Sequence, residues 1–570
     1  MAATTGVRLV VELRASGTAA LSVGEMVGIP LPETTVIGIA TELSGQGTPA
    51  TCIVNLLGEI RDDGRHGPTL IRGAAQLPRL GQAVLALTRE ELASLFSLPG
   101  ATGMRIGDLH QNAAIGAYAR IDDLITKHFA VLGSTGAGKS SGISVLVGAI
   151  LDAKPDLRVF FIDPHNEYGS CFHPRADVLR PANLRLPFWL FSFEEFVDVL
   201  FRGRPGVDEE IDILAELIPA AKAAFAASRA SHDRSALKRM DAKAAGIGPD
   251  TPIPYRLADL VALIEERRGK LENRALVFNY TRLLNRIETV RLDTRYAFMF
   301  DNANVGGDTM VDVIGEIFKY PGRGKTVTVM QLAGFPSEVV DSVVSVLCRM
   351  AFEIGLWSDG ALPMLLVCEE AHRYAPADRG LGFGPTRKAL SRIAKEGRKY
   401  GIYLGLVTQR PAELDPTILS QCSTVFAMRL MNDRDQAILR AAVSEAAGGL
   451  LGFLPSLGTR EAFGFGEGMP LPMRIRFSEL PAARIPRSEA TGLDHAAGAA
   501  IDRTYIAGMV ERWRGGGVRP LGLDEGPTAP IGERPTAPLM PAQERPPVLD
   551  DGVLAPGARP WYPSIRSGSR

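Results

Sequence analysis

The sequence predicts an α/β protein: a parallel sheet covered on both faces, a small β-rich module before it and a proline-rich tail after it. Three observations carry this. From about residue 120 to 430, short continuous apolar runs alternate with longer helix-period stretches, which is how strands buried on both faces read. The first 105 residues hold short apolar runs punctuated by glycine, proline and Asp-Gly at near-regular spacing, the pattern of a small barrel or sandwich. The last 51 residues, from Pro520, contain eleven prolines and a near-repeat, Gly526-Pro-Thr-Ala-Pro and Arg534-Pro-Thr-Ala-Pro. Such a segment has too little apolar surface to fold alone.

In chain order, Val7–Leu13, Thr35–Ile39, Thr51–Leu57 and Gln82–Leu87 are the first expected strands. This module (1–105) shows neither paired carboxylates nor a His/Cys cluster, so a structural or assembly role is expected of it. The central domain (120–480) opens with His128–Leu132, a Gly-rich turn and an apolar helix from Ser140. It continues through Arg158–Ile162, Thr326–Leu332, Met364–Cys368, Tyr403–Val407 and Thr424–Leu430. Between about 193 and 290 the strand signal disappears. Glu209–Ser228 and Leu257–Arg268 carry helix-period apolar positions there, so a helical insertion is expected. A helical brace segment (481–519) and the tail (520–570) complete the division.

A chain of 570 residues exceeds one ordinary core, so two or three domains are expected. With 63 Lys+Arg against 64 Asp+Glu, a globally basic DNA-coating protein is excluded, although a local basic surface is not. No run approaches the roughly 18–20 apolar residues of a membrane span, and the first residues show no basic flank leading into an apolar block. The five cysteines (Cys52, Cys171, Cys348, Cys368 and Cys422) are scattered without a CxxC pair. That excludes a disulfide framework or zinc ribbon and suits a reducing cytoplasm.

Gly133-Ser134-Thr135-Gly136-Ala137-Gly138-Lys139-Ser140 matches GxxxxGK[ST] in full, with an apolar strand entering and a helix leaving. Triphosphate oxygens need a ring of backbone N–H groups at a helix N-terminus, hence glycines that approach closely and adopt positive φ. Lys139 then neutralises the β- and γ-phosphates of ATP, and the Ser140 hydroxyl ligates Mg2+. Met364–Cys368 ends in Glu369 and Glu370: at such a strand tip the first acid holds Mg2+ through water and the second polarises the attacking water. His372 either senses the γ-phosphate or DNA, or is a hydrogen-bonded structural histidine. Gln409, after the Tyr403 strand, either orients water or caps a loop. Asp163 and Glu167, after the second strand, either organise the metal and water shell or bind backbone donors in a turn.

Between Arg373 and Arg410 nine Lys/Arg face two acids, inside a chain whose charges balance to −1 overall. Lys388, Arg392, Lys395 and Lys399 fall at i, i+4, i+7 and i+11, one helical face, with Leu390, Ile393, Ala394 and Gly397 on a second. Two uses compete: contact with nucleic-acid phosphates, or delivery of a cation to a neighbouring subunit's nucleotide, for which Arg398 is the candidate.

Taken together, His128-Phe-Ala-Val-Leu-Gly-Ser-Thr-Gly-Ala-Gly-Lys-Ser, Ile162-Asp-Pro-His-Asn-Glu-Tyr, Glu369-Glu-Ala-His-Arg-Tyr and Glu396-Gly-Arg-Lys-Tyr-Gly followed by Thr408-Gln-Arg-Pro resemble the HerA helicase/translocase family, in the HerA–FtsK branch of RecA-like ATPases. The resemblance spans roughly 120–480. It implies a RecA-like core and, for the first hundred residues, the family's HAS barrel. It further implies a homohexameric ring moving double-stranded DNA through its channel, with ATP bound between subunits. Lys139, Ser140, Glu369, Glu370 and Gln409 carry over as nucleotide-site residues, and Arg398 as an arginine finger. Lys127 stands where the family often has an arginine reaching a neighbouring site; a lysine brings charge without the bidentate fork. Partners implied are nucleases or effectors: NurA-like in DNA end processing, sirtuin-like or other in anti-phage defence. A competing reading from another class is an ATP-held ring that activates a bound nuclease with little translocation. A conjugative or secretion ATPase would share the core and normally bring a membrane anchor.

Overall fold

The strongest β signals, continuous apolar runs rich in Val, Ile, Leu and Phe, form the centre of the largest sheet. The computed structural model describes residues 3–5, 8–13, 21–45, 50–62, 68–96, 98, 103–202, 204–230, 246–301, 308–322, 324–442, 448–487 and 503–514. The tail from Pro520, and most of the brace segment, lie outside them.

The N-terminal strands are β1 (Ala3–Thr5), β2 (Arg8–Leu13), β3 (Met26–Pro30), β4 (Thr34–Ser44), β5 (Ala50–Asp62), β6 (Pro68–Arg72) and β7 (Leu85–Ala86). They pair antiparallel in the order β1-β2-β5-β4-β3-β7, with β6 also on β5. Among the described residues this pairing is an open path, where a small barrel or sandwich was expected. Val36, Val54, Leu9 and Ile29 bury one face of it.

The central sheet has eleven strands. Its ranges are β8 (Gly103–Leu109), β9 (Asn112–Arg120), β10 (Phe129–Leu132), β11 (Arg158–Asp163), β12 (Ala176–Leu179), β13 (Val327–Gln331), β14 (Met364–Cys368), β15 (Ile402–Thr408), β16 (Thr424–Ala427), β17 (Glu461–Gly466) and β18 (Met473–Phe477). The order is β12-β13-β11-β14-β15-β10-β16-β17-β18-β8-β9. From β12 to β16 every pairing is parallel; from β16 to β9 every pairing is antiparallel. The sequence boundary near residue 105 therefore falls inside β8, a strand of the central sheet. Alternating apolar residues define a strand but not the sheet it joins.

Every residue of β10, β13 and β14 is buried, and each such Val, Leu or Phe stabilises the fold by about 1.5–3 kcal/mol. Helices cover the sheet, including Lys139–Ala153, Ser337–Trp357 and Gly384–Glu396. One glycine shows how close packing selects residues. A Cβ on Gly405 would lie 2.7 Å from the ring of Phe129, its partner across β10 and β15. The strandless stretch carries helices at Phe193–Phe201, Asp208–Ala230, Leu257–Gly269 and Arg274–Leu292. Lys222, 2% exposed, pins it by donating to the carbonyls of Pro249 (2.5 Å) and Thr251 (2.6 Å).

The N-terminal sheet docks through Arg72, whose guanidinium donates to the carbonyls of Gly466 (2.8 Å), Pro470 (3.3 Å) and Met469 in the turn joining β17 and β18. Gly466 holds φ +100°, and a Cβ there would meet the Ser423 carbonyl at 1.8 Å. Gly466→Ala is therefore expected to destabilise the protein by at least about 2 kcal/mol. A lowered thermal midpoint at matched concentration checks this, and an unchanged midpoint contradicts it.

Candidate active site

Parallel strands send every loop that leaves a carboxyl end to the same edge of the sheet, and ligand sites of open α/β sheets lie there. At this edge stand the loop after β10 (Gly133–Gly138), Asp163 to Tyr168 after β11, Glu369 and Glu370 after β14, Gln409 after β15 and Arg429 after β16. A cleft of about 450 Å³ runs along it, lined by Thr135, Gly138, Lys139, Ser141, Glu370 and Pro486, among others.

The phosphate loop has the backbone its glycines foretold. Gly136 and Gly138 adopt φ +74° and +95°, and Gly138 caps the helix Lys139–Ala153. A Cβ on Gly133 would lie 2.8 Å from Met428 Cβ. Lys139 Nζ donates to the Ser134 carbonyl at 3.2 Å. Burial lowers the Lys139 pKa, while Glu370, Glu369 and Glu167 hold it up. A loop of this shape presents backbone N–H groups and one cation to a polyphosphate.

The acids divide by environment. Asp163 accepts the N–H groups of Glu167 (3.1 Å) and Tyr168 (3.0 Å), so it shapes the turn. Glu167, by contrast, reaches the cleft and accepts from the Ser140 hydroxyl at 2.7 Å. Asp163 thus binds backbone donors in a turn, while Glu167 faces Ser140. Glu369 is 4% exposed; Tyr168 Oη donates to its Oε1 at 2.9 Å, and its Oε2 has no hydrogen-bond partner. Burial, with Asp163, Glu167 and Glu370 close by, pushes its pKa well above the carboxylate range. Glu370 is 6% exposed with its Oε2 also unsatisfied, and it sits at φ +49°, a strained setting for a non-glycine residue. His372 Nδ1 lies 3.3 Å from Glu370 and 2.9 Å from the Thr408 hydroxyl. His372 is thus hydrogen-bonded to Thr408 beside Glu370. His165 Nε2, 3.7 Å from Glu370, is the exposed member on the cleft side.

The unsatisfied oxygen of Glu369, in the cleft that Ser140 and Glu167 also line, is chemistry that suits a magnesium ion, which takes one or two protein carboxylates and completes its shell with phosphates and water. No cluster of three or more His, Cys, Asp or Glu able to hold a metal without a ligand's help occurs among the described residues. Gln409 accepts a hydrogen bond from Thr135 Oγ1, which ties the β15 tip to the phosphate loop.

Other expected site residues lie elsewhere. Lys127 precedes β10 and Arg398 precedes β15, so both stand at the amino edge of the sheet. The seven residues of β15 at about 3.3 Å each put Arg398 roughly 20 Å from Gln409. Lys127 is held by Asp123 (2.8 Å) and Glu467, whereas Arg398 is exposed. Next to Arg398, buried His128 accepts the Leu404 N–H at 2.9 Å, and burial lowers its pKa to about 4. On the helix Gly384–Glu396, Lys388 and Lys395 are exposed. Arg392 pairs with Glu353 at 2.9 Å and lies 4.0 Å over the Phe352 ring. The helix ends at Glu396, so Lys399 leaves the expected face. Outside the motifs, Pro486 also lines the cleft, and Arg429 and Arg460 touch the phosphate loop. Arg429 accepts both the N–H and the hydroxyl of Ser134 on its carbonyl. No motif spacing marks these, because they arrive from loops far along the chain.

The two glutamates differ enough to separate by experiment. Glu370→Gln is expected to keep nucleotide bound while turnover falls by about 10²-fold or more, checked by nucleotide retention alongside steady-state hydrolysis. Glu369, with its raised pKa, keeps its proton in the fold at pH values where the unfolded chain has lost it. Stability of the nucleotide-free protein should therefore fall as pH rises from the ordinary carboxylate range through the raised one. Glu369→Gln should flatten that slope, leaving the share from Asp163, Asp198 and Asp341, whose pKa values burial also raises. Thermal midpoints across pH test it, and identical slopes would contradict it.

Residues 104–351 match the family model described as "Helicase HerA, central domain". A probable helicase of Methanocaldococcus jannaschii is 27% identical over 418 residues, 69% of this chain and 73% of that protein. The DNA double-strand break repair helicase HerA of Pyrococcus furiosus is 26% identical over 471 residues, 77% of this chain and 80% of that protein. The structure of VirB4 of Thermoanaerobacter pseudethanolicus is 16% identical, with 68% of this chain and 99% of that one aligned at a TM-score of 0.43; the fold rests on the strand order above, not on this superposition. With the phosphate loop, the strand-tip glutamates and a match to the HerA helicase central domain over residues 104–351 in one chain, this protein is a P-loop ATPase similar to the HerA helicases.

Proposed function

We propose that the protein hydrolyses MgATP at the interfaces of a homohexameric ring, moves double-stranded DNA with that energy, and works with a partner nuclease or effector in DNA end processing or anti-phage defence. The observation that carries the ring is the placement of Arg398. It is exposed, yet roughly 20 Å of strand separates it from its own cleft. A neighbouring subunit's cleft is where it can act.

Within one cleft the residues divide the work. Lys139 and the loop N–H groups hold the β- and γ-phosphates, and Ser140 with Glu369 would hold Mg2+. When bound, the metal neutralises charge between those phosphates. Glu370, oriented by His372, accepts the proton of the attacking water, and Gln409 positions that water. Arg398 from the next subunit meets the charge that develops at the γ-phosphate. For DNA, Lys388 and Lys395 share a shallow basic cleft with Arg379 and Arg387, and phosphate contacts of this kind make affinity fall with salt. Arg392 contributes less, since its guanidinium is occupied by Glu353 and Phe352. Among the described residues no helix is long and apolar enough to cross a membrane.

Linear duplex DNA should stimulate ATP turnover several-fold. Replacing Lys388 and Lys395 with Gln should weaken DNA binding and reduce its logarithmic salt slope by about 2. Turnover indifferent to DNA would favour a ring that activates its partner without translocating. The ring itself is tested by mixing. Arg398→Ala and Lys139→Ala subunits should each be inactive alone. An equal mixture should regain activity, because about one interface in four then joins an intact Lys139 site to an intact Arg398 donor. No recovery, or a fully active Arg398→Ala protein, would rule out the finger.

A further inference from the structure

We infer that Arg460 is a nucleotide-binding residue that grips the α- and β-phosphate end of the cleft within its own subunit. The inference rests on the ATPase reading above and concerns a residue outside every motif that led to it.

Arg460 lies in the turn before β17 and holds φ +67°. Its N–H donates to the Ala137 carbonyl at 2.9 Å, and its carbonyl accepts the Phe477 N–H at 2.9 Å. It thus clips the phosphate loop to β18. Glycine would make both backbone bonds and adopt this φ without strain. The backbone role therefore does not call for arginine, and a side chain kept at a strained position points to a task for that side chain.

Its surroundings say what the task is. A Cβ built on Gly138 would lie 3.0 Å from Arg460 N, 3.3 Å from its Cγ and 3.4 Å from its Cα. The side chain is thus laid against the last glycine before Lys139. The guanidinium has one weak carboxylate contact, 3.7 Å to Glu479, which is 84% exposed. A solvated pair of that length holds an arginine loosely. The cleft has a direction. Gln409, Thr135 and Glu370 mark its γ-phosphate end, while Ser141, one residue beyond the metal-binding serine, and Pro486 mark the other. In phosphate loops the backbone around the last glycine and the helix start cradles the α- and β-phosphates. With the base of its side chain against Gly138 and only the loose Glu479 contact at its tip, Arg460 can swing its guanidinium to those oxygens, which its fork suits.

The test compares Arg460→Gly and Arg460→Lys with the wild-type protein, using MgATP and MgADP as probes. Arg460→Gly removes the guanidinium and relieves the strained φ, so its thermal midpoint should match or exceed wild type. Its Kd for both nucleotides should nonetheless rise about tenfold, the loss expected of one charge-assisted hydrogen bond. KM for ATP should rise proportionately more than kcat falls, and Arg460→Lys should recover part of the affinity. Equal loss for ADP and ATP is the signature of a contact away from the γ-phosphate. Wild-type affinity in Arg460→Gly, or a loss confined to ATP, would overturn the assignment, as would a lowered thermal midpoint with nucleotide affinity retained. Wild-type turnover measured in parallel keeps the two claims apart: a wild-type chain that binds nucleotide without hydrolysing it fails the ATPase reading, not this one.

Discussion

The parallel run of strands from β12 to β16 is the constraint from which the site follows. Because hydrogen bonding aligns them in one direction, residues separated by hundreds of positions leave their strands at one edge. Ser140, Glu167, Glu369 and Gln409 come from four different strand ends and meet around one cleft. The same alignment sends Lys127 and Arg398 to the other edge. Both therefore stand a strand's length from the cleft of their own chain.

The cleft is electrostatically unrelaxed. Glu369 and Glu370 are nearly buried, each with an unsatisfied oxygen, and Asp163 and Glu167 crowd the same space. Lys139 is half-buried and leans on the Ser134 carbonyl. Buried carboxylates without full partners cost stability. The surrounding core bears that cost, since strands β10, β13 and β14 are buried throughout. A polyphosphate with its metal would supply the missing charges, so the features that weaken the nucleotide-free fold are those that would make binding favourable.

The antiparallel half of the sheet serves a different end. It carries Arg460 against the phosphate loop and Gly466 in the turn that Arg72 holds from the N-terminal sheet. That turn also carries Glu467, which pairs with Lys127 just ahead of β10. A continuous line of contacts thus runs from the N-terminal sheet, through Arg72 and Glu467, to the strand that ends in the phosphate loop.

The sequence by itself determined the parallel core, the phosphate loop and the strand-tip glutamates, because each is encoded locally. Short continuous apolar runs rich in Val, Ile and Phe, bounded by turn residues, read as doubly buried strands, and Gly136 and Gly138 answer a local demand for positive φ. Met364–Cys368 was legible to the residue for that reason. Only the tertiary structure could decide what depends on neighbours remote in sequence. It assigned Asp163 to a turn and Glu167 to Ser140, two acids that composition alone cannot separate. It joined β8 and β9 to the central sheet, since alternation names a strand but not its partner. It withdrew Arg392 into contact with Glu353 and Phe352, and it set Arg460 against Gly138, across a span that no local pattern can bridge. Chemistry written within a few residues is readable from the chain; chemistry assembled between loops exists only once the sheet has brought their ends together.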